Sequence, residues 1–472
     1  MGTIADKLAY LNNTKAAIRS ALNSKGAQAG EELPFRDYAG LIQGLGAGGS
    51  VGPSDVNFLD FDGSLVAAYS LEELAQLSSI PTAPQHDGLI SHGWNRTLEQ
   101  LKSAGRPADV GAVYTTNDGA TRLLLEIQGS RRNVNLALMQ SQANGVAIDW
   151  GDGSPSETLP GTGAIYPSHE YDGGGSYTVS LLPTAACDLV LGDNSSSNCV
   201  MGSILEASSS ELAVLRGVRL GQRIVIGEYA FAYCCGLRDI SMPMGLAALG
   251  DFSFTNCVAL HGIVLPASLE QIGEYAFLNC FGLRDVAFNS CNIGRGAFTA
   301  CCSLRSACLP EGMTEVYDEA FAECDALNRI SLPASMNSLG ITSFYSCRGL
   351  TELTLPDTIT EIDVSAFTLC SALHTLDLGS GLLSIGSDAF SSCNALTEVT
   401  IPASVTSIGS DAFGYCFGLA ACRMLSETPP AIEGDIFSEA PDDFVILVPA
   451  SSVEAYKAAE GWSDYAGRIM AI

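Results

Sequence analysis

The sequence predicts a mainly β protein organised around a solenoid, and three regularities predict it. Phenylalanine recurs at Phe231, Phe254, Phe277, Phe298, Phe321, Phe344, Phe367, Phe390 and Phe413, every 23 residues apart from one interval of 21. A cysteine follows each of them by three, from Cys234 to Cys416, and a leucine by six, from Leu237 to Leu419. An L-x-x-I-x-L alternation comes next and is closed by proline at Pro243, Pro266, Pro310, Pro333, Pro356 and Pro402. A fixed period of this length means coils that bury their apolar side only by stacking on neighbours. The alternation puts a short strand at the same place in every coil, and proline ends it and forces the turn. Nine such coils span about 40 Å. Arrays of this kind make long binding surfaces and seldom carry active sites.

Taken from the start of the chain, residues 3–24 read as a helix, with Ile4, Leu8, Leu11, Ile18 and Leu22 at helical spacings. The narrow stripe suits a docking helix or the seam of a homo-oligomer. A second short helix is expected over 34–45, so that 1–45 forms a helical attachment segment. Residues 46–54, within the run GLGAGGSVGPS, are a flexible linker. Residues 55–120 make a small α/β segment, with a strand-like VNFLDF, a helical SLEELAQLSS and a turn-rich stretch around Trp94. Alternating strands follow in TRLLLEIQ, NVNLALMQ and GVAIDWGDG, predicting a β-sandwich over 121–185. Trp150 and Tyr177 are expected to fill its core, with a tight turn at Asp152-Gly153. The solenoid occupies 191–426. Residues 427–472 form a cap, in which a strand FVILVP and a helix VEAYKAAEGW turn Tyr456 and Trp462 inward to seal the open end.

Charge and cysteine usage narrow the function. The chain has 23 basic against 52 acidic residues, a formal charge of −29, so nucleic acid is not an expected partner. Its longest apolar run, Phe444 to Pro449, is strand-sized, and no membrane insertion is expected. The first residues, MGTIADKLAYLNNTKAAIRSALNSKG, show no apolar leader, so export by a classical signal peptide is not expected. Nine of the sixteen cysteines share one inward repeat position, which predicts a ladder of buried free thiols. No paired C-x2-C clusters with histidine occur, so no metal site is expected.

The repeat I-G-x-x-A-F-x-x-C-x-x-L-x-x-I-x-L-P over 226–425 resembles the BspA-type leucine-rich repeat, and the tail from 428 is similar to the module that closes such arrays. The resemblance implies a leucine-rich-repeat solenoid with a non-enzymatic role in adhesion. The segment IDWGDGS with HEYDGGGSYTVSL resembles a PKD-type domain through Asp149, Trp150, Gly151, Asp152, Gly153, His169, Tyr171, Gly175, Tyr177, Val179 and Leu181. Such domains act as spacers. The order of helical start, VNFLDFDG segment, PKD-like spacer and repeat array resembles phage and prophage tail proteins. That plan implies a virion-associated protein whose N-terminal helix docks on a particle or baseplate and whose array touches a cell-surface protein or glycan. A bacterial surface adhesin binding host proteins or other bacteria is the alternative.

One segment imitates a catalytic motif. FLDFDGSLV resembles the first motif of haloacid-dehalogenase phosphatases, with Asp60 as nucleophile and Asp62 as general acid around Mg2+. That chemistry also needs a phosphate-binding lysine and an acidic magnesium loop. Only Lys102 lies between 63 and 200, and VLGDNSSSN lacks the final acid. A strand and turn is the better reading, so no enzyme, cofactor or catalytic residue is expected. Asp149, Asp152 and Glu157 offer oxygen ligands without the spacing of a calcium loop. The five histidines show no pairing with a nucleophile.

The binding candidates are the outward positions of the repeat strand and the aromatics beside the cysteine turn. The strand columns supply Asp239, Asp285, Arg329, Glu352, Asp377, Glu398 and Arg423. The turns supply Tyr233, Phe281, Tyr345, Tyr415 and Phe417, aromatic anchors of the kind that dominate interfaces.

Overall fold

The computed structural model describes residues 55–128, 132–203, 214–289 and 291–472. The expected helices in 3–45 and the linker at 46–54 lie outside the described residues. Asp55–Ile472 forms one compact unit.

Each coil of the array lays down two short strands. One sits eight to ten residues after the phenylalanine, as in Asp239–Ser241, Asp285–Ala287 and Glu352–Thr354. The other sits just before the recurring glycine turn, as in Gln271–Ile272 and Ser384–Ile385. Copies pair in parallel and in register, Gln271 against Asn292 and Glu361 against Ser384. Between the strands the chain turns twice, with left-handed backbone two residues before and two after the phenylalanine. Ser365 (φ 56°) and Leu369 (φ 65°) flank Phe367 in this way. A non-glycine residue held there is strained by about 1 kcal/mol, so the stacked interior must hold the turn.

That interior is a column of rings. Phe231 to Phe413 are all buried, and each ring stacks on the next with centroids 5.0–5.4 Å apart. The cysteine three residues on is buried too, and its thiol donates to the phenylalanine carbonyl of the preceding coil. Cys257 Sγ reaches Phe231 O at 3.1 Å, Cys347 reaches Phe321 O at 3.2 Å, and Cys416 reaches Phe390 O at 3.2 Å. All sixteen cysteines are free. Burial pushes the thiols up, to about 12 at Cys370 and Cys416, so the protonated form that can donate is the one present.

The interval of 21 residues falls at 277–298, where one turn is two residues short and has Asn289 in place of proline. The buried Asn289 amide ties this turn to the preceding one, donating at 2.8 Å to both Pro266 O and Leu269 O.

The sandwich runs into the array without a break. One sheet is ordered Asp239–Ser241, Leu215–Arg219, Thr121–Ile127, Gly175–Pro183, Val146–Asp149, Glu157–Thr158, so its first two strands belong to the array. In the second sheet, Leu189–Leu191 pairs antiparallel with Leu138–Gln140 on one side and parallel with Ile224–Ile226 on the other. A single apolar core continues from Leu123 to Ile469. The expected spacer is therefore fused to the array and caps its first coil, since two sandwich edges left open would expose unpaired backbone. Trp150 fills the sandwich core as expected. Its ring stacks on His169 at 4.9 Å, and Tyr177 differs from expectation: it is half-buried and stacks at 4.1 Å on Tyr171, which is the fully buried tyrosine.

At the far end Val445–Val448 and Ile469–Ala471 extend the ladder. Helix Val453–Ala458 brings Tyr456 against Trp462, both buried, and the Trp462 indole donates to Pro430 O at 2.8 Å.

The small α/β unit has strands β1 (Val56–Leu59), β2 (Leu65–Tyr69), β3 (Leu89–Trp94) and β4 (Ala108–Thr116), ordered β2-β1-β4-β3. Helices α1 (Leu71–Gln76) and α2 (Leu98–Ala104) each start from a capping box, Ser70 with Glu73 and Thr97 with Gln100. All nine residues of β4 are buried. Ala108, Val110, Ala112 and Tyr114 face the unit's own core, while Asp109, Gly111 and Val113 face the array. A strand covered on both faces has no need of alternation, and ADVGAVYTT shows little.

Candidate binding face

The strand face of the array is divided in two, and the small α/β unit makes the division. Across Asp239–Ser331 most outward side chains are small, among them Gly262, Val264, Ala287 and Ser306, and the α/β unit lies directly on them. Val113 packs with Val264 and Ala287. A Cβ on Gly262 would stand 2.5 Å from Cα of Gly63, and one on Gly111 would stand 2.3 Å from Val264 Cγ1, so both glycines are required by the close approach. Polar groups satisfy the rest of the contact. Asn95 donates its amide to Leu265 O (3.1 Å) and Ala287 O (3.2 Å). Asp109 is buried and accepts from Asn57 (2.8 Å) and Ser306 (2.7 Å), with Arg329 at 3.3 Å. Arg106 reaches Glu311 at 3.0 Å and Ser331 Oγ at 2.9 Å.

Three of the expected ligand contacts are thereby corrected. Arg329 is paired with Asp109 and also donates to Asp55 O at 3.4 Å. Asp285 is mostly buried beneath the unit, which raises its pKa. Asp239 is ion-paired with Arg219, whose guanidinium lies 4.5 Å over the Phe61 ring. All three point outward from the repeat, as the spacing requires, but their outward side is occupied by the chain itself.

From Glu352 onward the face is open. Glu352, Thr354, Asp377 and Glu398 are exposed, and Arg423 is half-exposed, pairing with Glu398 at 3.2 Å. Beside these columns runs a groove of about 730 Å³, floored by Leu355, Leu376 and Leu378 and edged by Asp357, Asp377 and Leu425. Asp357 accepts from Ser380 N (2.6 Å) and Oγ (2.9 Å) one coil away, which holds its carboxyl below the usual carboxylate range. The open half is therefore negatively charged at neutral pH, with an apolar floor. The aromatics lie beside the cysteine turn. Tyr233, Phe281, Tyr415 and Phe417 are exposed, Phe417 at 60%, whereas Tyr345 is half-buried. Left-handed backbone at Tyr233 (φ 61°) and Tyr415 (φ 58°) accompanies their exposure.

Residues 224–301 and 291–420 match the family described as the BspA type leucine rich repeat region, in six copies. The array is a leucine-rich-repeat solenoid of the BspA type. Similar solved structures include a leucine-rich repeat protein from Bacteroides ovatus, 22% identical over 55% of this chain and 76% of that one, with a TM-score of 0.33. Another is a leucine rich cell surface protein from Faecalibacterium prausnitzii, 21% identical over 55% of this chain and 83% of that one, TM-score 0.32. A third is the pneumococcal vaccine antigen PcpA, 16% identical over 55% of this chain and 76% of that one, TM-score 0.29. Comparison with curated proteins gives no match.

Outside the BspA-type array the other candidates have local structural duties. Asp60 and Asp62 shape the hairpin turn between β1 and β2. Asp60 accepts from Phe61 N and from the His86 ring, both at 2.8 Å, and Asp62 accepts from Ser64 N at 2.9 Å. Asp149, Asp152 and Glu157 are spent separately, on Gly151 N (2.9 Å), on Ser154 N (3.0 Å) with His169 (2.7 Å), and on the Trp150 indole (3.0 Å). Among the described residues no helix is long and apolar enough to cross a membrane.

Proposed function

We propose that this chain is a non-enzymatic binding or adhesion protein that holds its partner on the open half of the strand face, over Glu352–Arg423. The division of the face carries the reading: identical coils are sealed by the chain's own α/β unit in one half and left to solvent, with a groove, in the other. The partner's chemistry follows from the charge. Glu352, Asp357, Asp377 and Glu398 against one paired arginine favour a surface rich in lysine, arginine or hydroxyl groups, either protein or glycan.

The setting we favour is a phage or prophage tail, with the first 45 residues serving attachment and the array meeting the host cell. The chain plan supports it: a start whose residue spacing predicts a helix, then a spacer-like sandwich, then the array. A bacterial surface adhesin is the second reading, and the BspA-type array itself favours that one equally. Labelled full-length chain, applied to a panel of bacterial cells and to immobilised matrix proteins, tests both. Selective staining of some bacterial strains, abolished by Glu352→Lys with Asp377→Lys, is expected. Staining that survives the double substitution would remove the open face from the function. Adhesion to matrix proteins alone would favour the adhesin.

A further inference from the structure

The first half of the array carries a basic row at the entrance to its strands. In four successive coils the residue seven after the phenylalanine is Arg238, His261, Arg284 and Arg305, and Arg216 holds the same place in the coil before them. Backbone hydrogen bonds put all five on adjoining rungs. Arg238 N donates to Arg216 O (2.9 Å), His261 N to Arg238 O (3.2 Å), Arg284 N to His261 O (2.8 Å) and Arg305 N to Arg284 O (3.1 Å). At about 4.8 Å a rung, the row runs for about 19 Å along the array. Arg238, His261, Arg284 and Arg305 are exposed and Arg216 is half-exposed.

No side chain of the row forms an ion pair or a hydrogen bond among the described residues. In the next column Asp239 is spent on Arg219, and Asp285 attracts Arg284 and Arg305 without pairing with either. Like charges on facing rungs repel, so the row costs the fold stability, in a chain with 52 acidic residues that could have paired with it. The row also has a definite end. The column continues as Asn328 and Thr351, and the turn leading to Asn328 carries the exposed acids Glu323 and Asp325.

We infer that this row is a track for an acidic polysaccharide lying along the array, with its carboxylates on the arginines. The row is one residue wide, which suits a single thread and not a duplex carrying a charge every ~1.7 Å. Single-stranded nucleic acid is held by aromatics on which successive bases stack. Tyr233 and Phe281, the exposed aromatics in the turns of these coils, stand two coils apart. An extended acidic peptide presents same-face side chains about 6.7 Å apart, out of step with the rungs. A uronic acid chain carries one carboxylate per ring with hydroxyls between. The turns leading into the row offer neutral partners for such hydroxyls in the half-exposed amides of Asn256 and Asn279. The track lies in the other half of the array from Glu352–Arg423, and its occupation does not depend on what binds there.

Biolayer interferometry of the full chain against polygalacturonate, neutral dextran and single-stranded oligothymidylate tests it. Saturable polygalacturonate binding is expected, tighter than oligothymidylate, with none to dextran. Arg238→Gln with Arg284→Gln should weaken it about tenfold or more and flatten its salt dependence, because fewer counterions are released. The thermal midpoint of that variant should not fall, since both side chains are exposed and their repulsion is relieved. Absence of saturable polygalacturonate binding at low salt overturns the inference. So does binding whose affinity and salt dependence are unchanged in the folded double variant, or equal binding of dextran. Tighter binding of oligothymidylate overturns the polysaccharide in favour of a nucleic acid.

Discussion

Two stretches of the same face, Asp239–Ser331 and Glu352–Arg423, share one repeat, one column of phenylalanines and one thiol ladder, yet only the second meets solvent. Their interiors are interchangeable. What separates them is the outward side chain: Gly262, Val264, Ala287, Ser306 and Cys308 lie under the α/β unit, while Glu352, Thr354, Asp377 and Glu398 stand in water. A repeat fixes where a side chain points, and the neighbour it meets decides what it does. Arg329 and Arg423 occupy outward columns on the same ladder, one in a buried pair with Asp109 and the other in a surface pair with Glu398.

The largest effect should be common to both halves. The nine ladder thiols titrate well above an unfolded thiol, whose pKa is about 8.5. A folded pKa raised above the unfolded one contributes stability that is complete below about 8.5 and lost as pH rises toward the folded value, about 12 at Cys370 and Cys416. Each thiol removes about 1.4 kcal/mol per pH unit in that window. Thermal midpoints should be flat from neutral pH to mildly alkaline pH and then fall steeply. A midpoint unchanged well into the alkaline range would mean the thiols are not buried.

Phe321→Ala beneath the α/β unit and Phe390→Ala in the open half should each cost about 3–5 kcal/mol in denaturant unfolding. A loss under about 1 kcal/mol at either site would break the equivalence of the two interiors. The outward pairs should differ instead. Arg329→Ala removes the ion pair of the buried Asp109 and should cost about 2–3 kcal/mol, somewhat less than a fully buried pair. Arg423→Ala should cost less than about 1 kcal/mol. Equal losses would mean that Asp109 is not sealed. Smaller still is the contrast in packing. Gly262→Leu wedges the unit from the array and should cost about 1–3 kcal/mol, whereas Thr375→Leu, at the same column position, should change stability by about 0.5 kcal/mol at most. Proteolysis of the 55–120 segment should accelerate only in the first variant.

Much of this was legible in the sequence because the repeat is a local signal. The phenylalanine spacing placed the ring column, the strand alternation placed the outward columns, and the cap was marked by Tyr456 and Trp462. The covering of the face was not legible, because it joins β4 to coils far along the chain, 197 residues on where Asp109 meets Ser306, a contact no local period encodes. Its trace was present in Val264, Ala287 and Cys308, three small apolar residues in an outward column otherwise made of Ser, Thr, Asp and Arg, and in the unalternating run ADVGAVYTT. The fusion of sandwich and array was hidden for a related reason. Alternation shows which face of a strand is buried and says nothing of its edges, and the junction is made through the edges of Thr121–Ile127 and Leu189–Leu191.

The division of the face can be read directly from the native thiols. Cys308 is an outward-column cysteine and is buried, with Asp109, Arg96 and Arg106 of the α/β unit near it, while Cys235 and Cys302, beside the turns, are partly exposed. Native chain treated with a maleimide and mapped by mass spectrometry should be labelled at Cys235 and Cys302 and spared at Cys308. A Thr354→Cys variant, which puts a thiol on an outward column of the open half, should label there faster than at any of these. Labelling of Cys308 as fast as the introduced thiol would show that the whole strand face is open, and the covered half would not exist.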